Sequence, residues 1–447
     1  MQDFEPTVNA ARLRLSQVQP DAYAQTRNAL DGAVTRLSPY LTHGFLSLAE
    51  VYHSVNAQHG LSTQHKLVFE LGWRAYYRHV WEHLGVGIGQ SIHAGLLPDN
   101  AYLPEVPIDV LQARTGIAAI DLAVRELYDT GYVHNHARMW LASYLVHLRK
   151  VHWHAGAQWM LGHLLDGDLA SNHLSWQWVA GTGSSKAYLF NADNVAKYAP
   201  AHWHSPNTGI DISYEAMDAL AHRTKPVYTQ HDARLAGTGI APPELFTSPA
   251  ASAAGNRTPD TRWCVLDAAN LPDKPDKPDG PRAPGVRAHL VAGRKVWLHH
   301  PWSLGPGPAT LPADVLHVAV GIESCHKDTP WSQRRWDFVT QGLNAQADPL
   351  LPLWWGSAEA VACALQSAQS VHWQPDPHID SAFASLQIEL CQRNPNQVTG
   401  PQPAPRLFEP VASYCRSFSV WWRQTHVAPA NATGAGPVGG QARTWAA

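Results

Sequence analysis

The strongest constraint on the fold is a change of hydrophobic period part-way along the chain. From Arg12 to about Ala221 the apolar residues recur at helical spacing, and strand-like alternation is scarce. Residues 222–261 lose that period and gain Pro, Gly, Ala, Ser and Thr, which reads as a linker. Beyond it, short apolar runs alternate with helical stretches. RWCVLDAANL, KVWLHHPW and DVLHVAVGI read as strands, PWSQRRWDFVTQGL as a helix, LPLWWGS as a strand, AEAVACALQSA as a helix and SVHWQPDPH as a strand. That rhythm predicts an α/β layer with a largely parallel sheet. The expected architecture is therefore a mainly α N-terminal domain over residues 1–221 and a smaller α/β domain over 262–426. The Gly/Ala-rich tail, 427–447, is expected to be disordered. A length of 447 residues also makes two domains the default.

Composition removes several function classes. The five cysteines all lie in the second half, widely spaced, with no C-x-x-C pair, so neither a metal cluster nor a disulfide framework is expected. There is no signal-peptide-like start and no run of 18 apolar residues, which points to a soluble, cytoplasmic chain with no membrane partner. A net charge of −3 leaves nucleic-acid binding dependent on a local basic groove. Arg78, Arg149, Lys150 and Lys186 are candidates for such a rim, or are solvated surface charge. No G-x-G-x-x-G or G-K-[ST] occurs in the second half. Tryptophan, at 19 residues, hints at stacking surfaces or electron transfer, with core bulk as the plainer account.

The most chemically loaded stretch is residues 166–178, DGDLASNHLSWQW. An apolar helix runs into an Asp-Gly-Asp turn, where Gly167 permits positive φ and Asp caps backbone donors. Asp166, Asp168, Asn172, Trp176 and Trp178 thus collect at a helix terminus. They suit a polar, aromatic-lined pocket for a planar ligand, or a capped turn beside two core tryptophans. Two acids and one amide make an incomplete oxygen shell for a metal. Three further segments join it. In TRLSPYL, Ser38 before Pro39 reads as an N-cap, with Arg36 alongside. In the helix over 67–84, Glu70, Trp73 and Arg74 share a face, where they stabilise packing or line a cavity. In HNHARM, Asn135, Arg138 and Met139 share a face, and Arg138 is a natural partner for Asp166 or Asp168.

Taken together, TRLSPYLTHGFLS, ELGWRAYYRHVW, TGIAAIDLAVRELYDTGYVHNHARM and LLDGDLASNHLSWQW resemble, in order and spacing, the FAD-binding helical domain of the cryptochrome/DNA photolyase family. The resemblance covers roughly residues 20–200. It implies non-covalent FAD held by Tyr23, Thr35, Arg36, Leu37, Ser38, Arg74, Asn135, Arg138, Asp166, Asp168 and Asn172. Arg138 would pair with Asp166, Asp168 would accept from the isoalloxazine edge, and Asn172 would face its N5. Glu70, Trp73, Met139 and Trp178 would line a lesion pocket, with Glu70 and Asn135 also acting in catalysis. Trp176 and Trp153 would be the first two members of an electron chain. HNHARM resembles the cyclobutane-dimer branch.

Departures from the family pattern are specific. The third electron-chain position falls near Val110, for which Trp159 and Trp140 are possible substitutes. His136 stands where an arginine is usual and is expected to bind phosphate better at pH 6 than at pH 8. The α/β region follows the helical one instead of preceding it, and its PWSQRRWDF helix and strand rhythm resemble the family's antenna domain in permuted order. The expected function is blue-light-driven, FAD-dependent repair of pyrimidine dimers in damaged DNA. The alternatives are a cryptochrome-like photoreceptor without repair, and a flavin-binding protein without a light function.

Overall fold

The computed structural model describes residues 4–226, 238–249, 263–267 and 286–428. The loop 273–285, most of the span read as a linker, and the tail beyond 428 lie outside them. The first half is helical. Helices α1 Val8–Ser16, α2 Pro20–Thr26, α3 Ser38–Thr42 and α4 Leu48–His59 lead into the long α5 Lys66–Leu84. Next come α6 Ile108–Leu111, α7 Ala118–Thr130, α8 Asn135–Ser143, α9 Trp153–His163, α10 Leu169–Ala180, α11 Ala192–Tyr198 and α12 Tyr214–Ala221. Helix α7 turns an apolar stripe to the core: Ile117, Ile120, Val124 and Leu127 recur at helical spacing and are all buried. A π-helical turn, Tyr144–Leu148, prolongs α8.

The second half is a six-stranded parallel sheet of β2 Trp263–Val265, β3 Lys295–His299, β4 Leu316–Ile322, β6 Leu353–Gly356, β7 Ser370–Trp373 and β8 Val398–Pro401. Helices α13 Gln333–Gln346, α14 Ala358–Leu365 and α15 Asp380–Arg393 form the crossovers. Strand order is β2-β6-β4-β3-β7-β8, so the winding reverses between β3 and β7. This is a doubly wound sheet, with a crevice beyond the strand C-termini at that reversal. The central strands are buried almost throughout, which is why they read as continuous apolar runs. Sequence reading did not anticipate α15, β8 or a short C-terminal helix, α16 Phe418–Trp422. A strand inside the span read as a linker, β1 Leu245–Phe246, pairs antiparallel with β5 Trp331–Ser332, just ahead of α13.

The halves meet along the acid turn. Fully buried Arg335 of α13 donates to the carbonyl oxygens of Leu161 and Gly167 and lies 3.9 Å from the Trp331 ring centroid. The Leu169 N–H donates to His378 Nε2, whose other ring nitrogen meets Asp376 at 2.6 Å. Arg78 of α5 bridges Asp168 and Asp376. No helix among the described residues is long and apolar enough to cross a membrane.

Two local expectations are corrected here. Gly167 does not have positive φ. It is glycine because a Cβ would come 2.3 Å from Arg335 Nη1 and 2.8 Å from the Leu161 carbonyl. Ser38 is not a side-chain cap: it is the first residue of α3, whose N-cap is Leu37 and whose terminus has no side-chain cap hydrogen bond.

Candidate functional site

Two cavities draw walls from both α5 and α10. The first, about 230 Å³, is lined by Ser38, Arg74, Tyr132, Asn135, Arg138, Met139, Asp166, Asp168, Ser171, Asn172 and Trp176, among others. The apolar stripe of α9 ends in the turn, so Asp166 and Asp168 are delivered to its floor. Asp168 then caps α10 by accepting from the Ser171 N–H at 2.8 Å. Facing them, α8 presents Arg138, whose Nη2 donates to both Asp166 oxygens at 3.0 and 2.8 Å while Nε donates to the Val133 carbonyl. The expected Arg138–Asp166 pair is therefore present. Burial opposes the Arg138 charge, but Asp166 outweighs it and raises the guanidinium pKa.

Asp168 is held by more protein donors than Asp166. Its side chain has no exposed surface. One oxygen serves the Ser171 N–H, and the other takes Arg74 and Arg78 together. Burial raises its pKa, but Arg78 and then Arg74 overcome this and hold the carboxyl far below the usual range. With protein donors on both oxygens, it anchors the turn between α9 and α10.

The donors and acceptors left over in this cavity belong to its other residues. Arg138 Nη1 has no hydrogen-bond partner among the described residues, and Ser171 Oγ is a buried hydroxyl with none. Asn172 donates through Nδ2 to the Ala157 carbonyl at 2.8 Å, which leaves Oδ1 as its acceptor. The walls are Met139, Met160, Leu164, Trp176 and Val179. A polar rim of both hydrogen-bond senses around an apolar slot fits a flat heterocycle such as an isoalloxazine.

The remaining expected cofactor residues stand outside this cavity. Tyr23 is partly buried, and its phenol pKa is raised by burial and then by Glu70. Thr35 Oγ1 accepts from the Leu37 N–H, and Leu37 is a core residue. Arg36 has positive φ (50°) and lies over the Tyr132 ring at 5.5 Å, with Arg138 over the same ring at 5.4 Å.

The second cavity, about 780 Å³, is lined by Trp73, Tyr76 and Tyr77 of α5, Leu174 and Trp178 of α10, and Tyr414 with residues 416–419. Trp178 is 37% exposed and stacks on Tyr188. The expected lesion-lining set is therefore split. Trp73 and Trp178 share this cavity, Met139 belongs to the first, and Glu70 lies in neither, its carboxylate 3.5 Å from Arg27. The Asn135 amide donates to Met139 Sδ at 3.6 Å.

Among the electron-chain candidates, Trp176 lies against α9 at Gly156, where a Cβ would come 2.4 Å from its ring. Trp153, one turn earlier on α9, donates its indole N–H to Ser91. Val110 is fully buried. Trp159 donates to the Tyr128 hydroxyl, and Trp140 is buried beside Phe190 and Trp203.

Most of the expected basic rim is internal. Arg78 bridges the two halves, Arg149 pairs with Asp109, and Lys150 is fully buried, donating to the carbonyls of His147, Leu220 and Ala221. Burial pushes the Lys150 pKa down to about 8. Only Lys186 of the four is exposed. His136 is buried too: its Nδ1 meets the Asn28 carbonyl and its Nε2 the Tyr188 hydroxyl. Burial lowers its pKa, so it is not the pH-dependent phosphate contact expected. What the sequence concealed is the long-range set of Arg335, Asp376 and residues 414–419. None carries a motif, and only the chain fold brings them to α5 and the turn.

Residues 67–204 match the family described as the FAD binding domain of DNA photolyase. The chain is 32% identical to a deoxyribodipyrimidine photo-lyase of Synechococcus sp. over 43% of each chain. It is 34% identical to a cryptochrome DASH of Synechocystis sp. over 39% of this chain and 37% of that one. A solved Synechocystis cryptochrome is 30% identical over 44% of each chain, with a TM-score of 0.40. The chain spans between 33% and 53% of the length of three such relatives.

Proposed function

Because residues 67–204 belong to the FAD-binding-domain family of DNA photolyase, we propose that this chain is a light-driven flavoprotein that repairs pyrimidine dimers in DNA. The observation that carries the proposal is the pair of cavities that share α5 and α10: a slot with a polar rim and a larger chamber whose walls include two tryptophans. When bound, FAD supplies the photochemical electron donation; the protein supplies binding, orientation and electrostatics. Arg138, fixed by Asp166, offers its spare N–H groups to an electron-rich ring edge. Asn172 Oδ1 would accept a hydrogen bond from a ring N–H, its amide held in one orientation by Ala157. Met139, Met160 and Leu164 exclude water from the slot. In the chamber, Trp73 and Trp178 offer stacking faces to bases that have left the helical stack, the arrangement that base-flipping enzymes require.

A photoreceptor without repair is the second reading. It is favoured by relatives named cryptochrome DASH that match at the same identity as the photo-lyases. The test is to purify the full chain, record its flavin absorption, reduce it, and follow loss of cyclobutane dimers from irradiated oligothymidylate under blue light. Flavin bands with dimer loss support repair. Flavin bands without dimer loss move the assignment to the photoreceptor, and a folded, colourless protein that takes up no FAD removes both.

A further inference from the structure

One wall of the larger cavity comes from the far end of the chain. Residues 414–419 are held on α5 at several points. The Tyr76 hydroxyl donates to the Cys415 carbonyl, and the Cys415 N–H donates to His79 Nε2. Phe418 stacks on Trp73 with ring centroids 4.1 Å apart and planes 11° from parallel. Trp422 fills the notch left by Gly72, where a Cβ would come 2.4 Å from its ring. Between Cys415 and Phe418 stands Arg416. It lines the cavity, is exposed, and makes no hydrogen bond or ion pair with any described residue. The contrast with α5 is sharp: Arg74 and Arg78, one helical turn apart, are both spent on Asp168.

We propose that Arg416 is the phosphate-contacting residue of this cavity, holding the backbone of a DNA strand whose unstacked base lies between Trp73 and Trp178. The assignment rests on the DNA reading above and adds a partner residue to it. A guanidinium presents a planar fork of donors that matches phosphate oxygens. Aromatic faces beside such a cation are the combination by which single-stranded or everted nucleotides are bound. The flanking anchors fix the backbone on both sides of Arg416, so little freedom remains to be lost on binding. The strand's register would then be set by a residue that follows the sheet, not by the helical region alone.

The test is equilibrium binding of the full chain to irradiated oligothymidylate across a salt series, for wild type, Arg416→Gln, Arg416→Lys and Arg423→Gln. Arg423 is an exposed arginine of the same segment outside the cavity lining. Arg416→Gln should bind on the order of tenfold more weakly. Its log–log salt slope should be shallower by about 0.7, the loss of one phosphate contact on a single strand. Arg416→Lys should keep the slope, and Arg423→Gln should match wild type in both. The assignment fails if Arg416→Gln keeps wild-type affinity and slope, or if Arg423→Gln falls as far. Wild type that does not bind the irradiated strand defeats the DNA reading itself. Wild type that binds beside an unaltered Arg416→Gln defeats only the role of Arg416.

Discussion

Asp166 and Asp168 are separated by one glycine, yet they serve different regions. Asp166 belongs to the slot: it is held by one guanidinium, which is 22% exposed and keeps a free N–H edge. Asp168 belongs to the seam: it is sealed from solvent, held by two guanidiniums and a backbone N–H, and tied through Arg78 to Asp376 in the α/β half. A site for an exchangeable ligand needs polar groups that are oriented but not saturated. A joint between two halves needs saturation, since a buried charge is tolerated only when paired and hydrogen-bonded. One turn meets both demands because its two carboxylates face different neighbours.

The sharpest way to break this contrast is Asp168→Asn. It takes the carboxylate partner from Arg74 and leaves Arg78 with Asp376 alone, so a loss of about 3–5 kcal/mol in unfolding free energy is expected, read from denaturant midpoints. The effect must depend on pH. The folded pKa of Asp168 is depressed, so its contribution is fully present above the unfolded carboxyl value and is lost as pH falls through the acid range. The gap between wild type and Asp168→Asn should therefore begin to narrow below about pH 4 and keep narrowing with further acid. A constant gap down to pH 3 would show that Asp168 does not hold the seam by its charge.

Asp166→Ala should cost less, about 2 kcal/mol, because it affects one guanidinium and leaves the seam to Asp376 intact. Its larger consequence is loss of flavin retention, measured as bound absorbance after desalting. Equal stability losses in the two variants would erase the distinction between slot and seam. Trp176→Phe removes part of an indole packed on Gly156 and should cost about 1–2 kcal/mol. FAD should stay bound. Blue-light reduction of oxidised flavin with a thiol donor should be lost, while repair starting from chemically reduced flavin persists. Photoreduction at the wild-type rate would remove Trp176 from the electron chain. The smallest effect belongs to His136→Gln. Because this imidazole is buried with both ring nitrogens on protein groups, the substitution should leave any difference in DNA binding between pH 6 and pH 8 unchanged.

The parts of this molecule legible in its sequence are those set by local spacing. The long helix over 67–84, the apolar stripe of α7 and the Arg138–Asp166 pair follow from residues three or four apart and from a turn between adjacent helices. The alternation after residue 262 foretold a parallel sheet, because buried strands and crossover helices mark their own periods. What was illegible depends on distant partners. Arg78 reads as a surface cation until Asp376 arrives from 298 residues away. Gly167 reads as a turn glycine, whereas the space it leaves belongs to Arg335. Helix α16 is five residues long and too short to show a period, so its aromatics gave no sign that they complete a cavity on α5.

That last feature bears on how the chain is made. Synthesis delivers α5 early, and its aromatic face, Phe69, Trp73 and Tyr76, waits for partners encoded more than 330 residues later. At about 5–20 residues per second, that is a delay of many seconds with a greasy surface uncovered on the ribosome. The nascent helical half is therefore a natural client for holding chaperones. Any message cut short before the codon for Phe418 would yield a product with every family motif in place and its broadest aromatic face bare. Quality control in the cell would have to act on that face, because nothing in the motifs distinguishes the finished chain from the unfinished one.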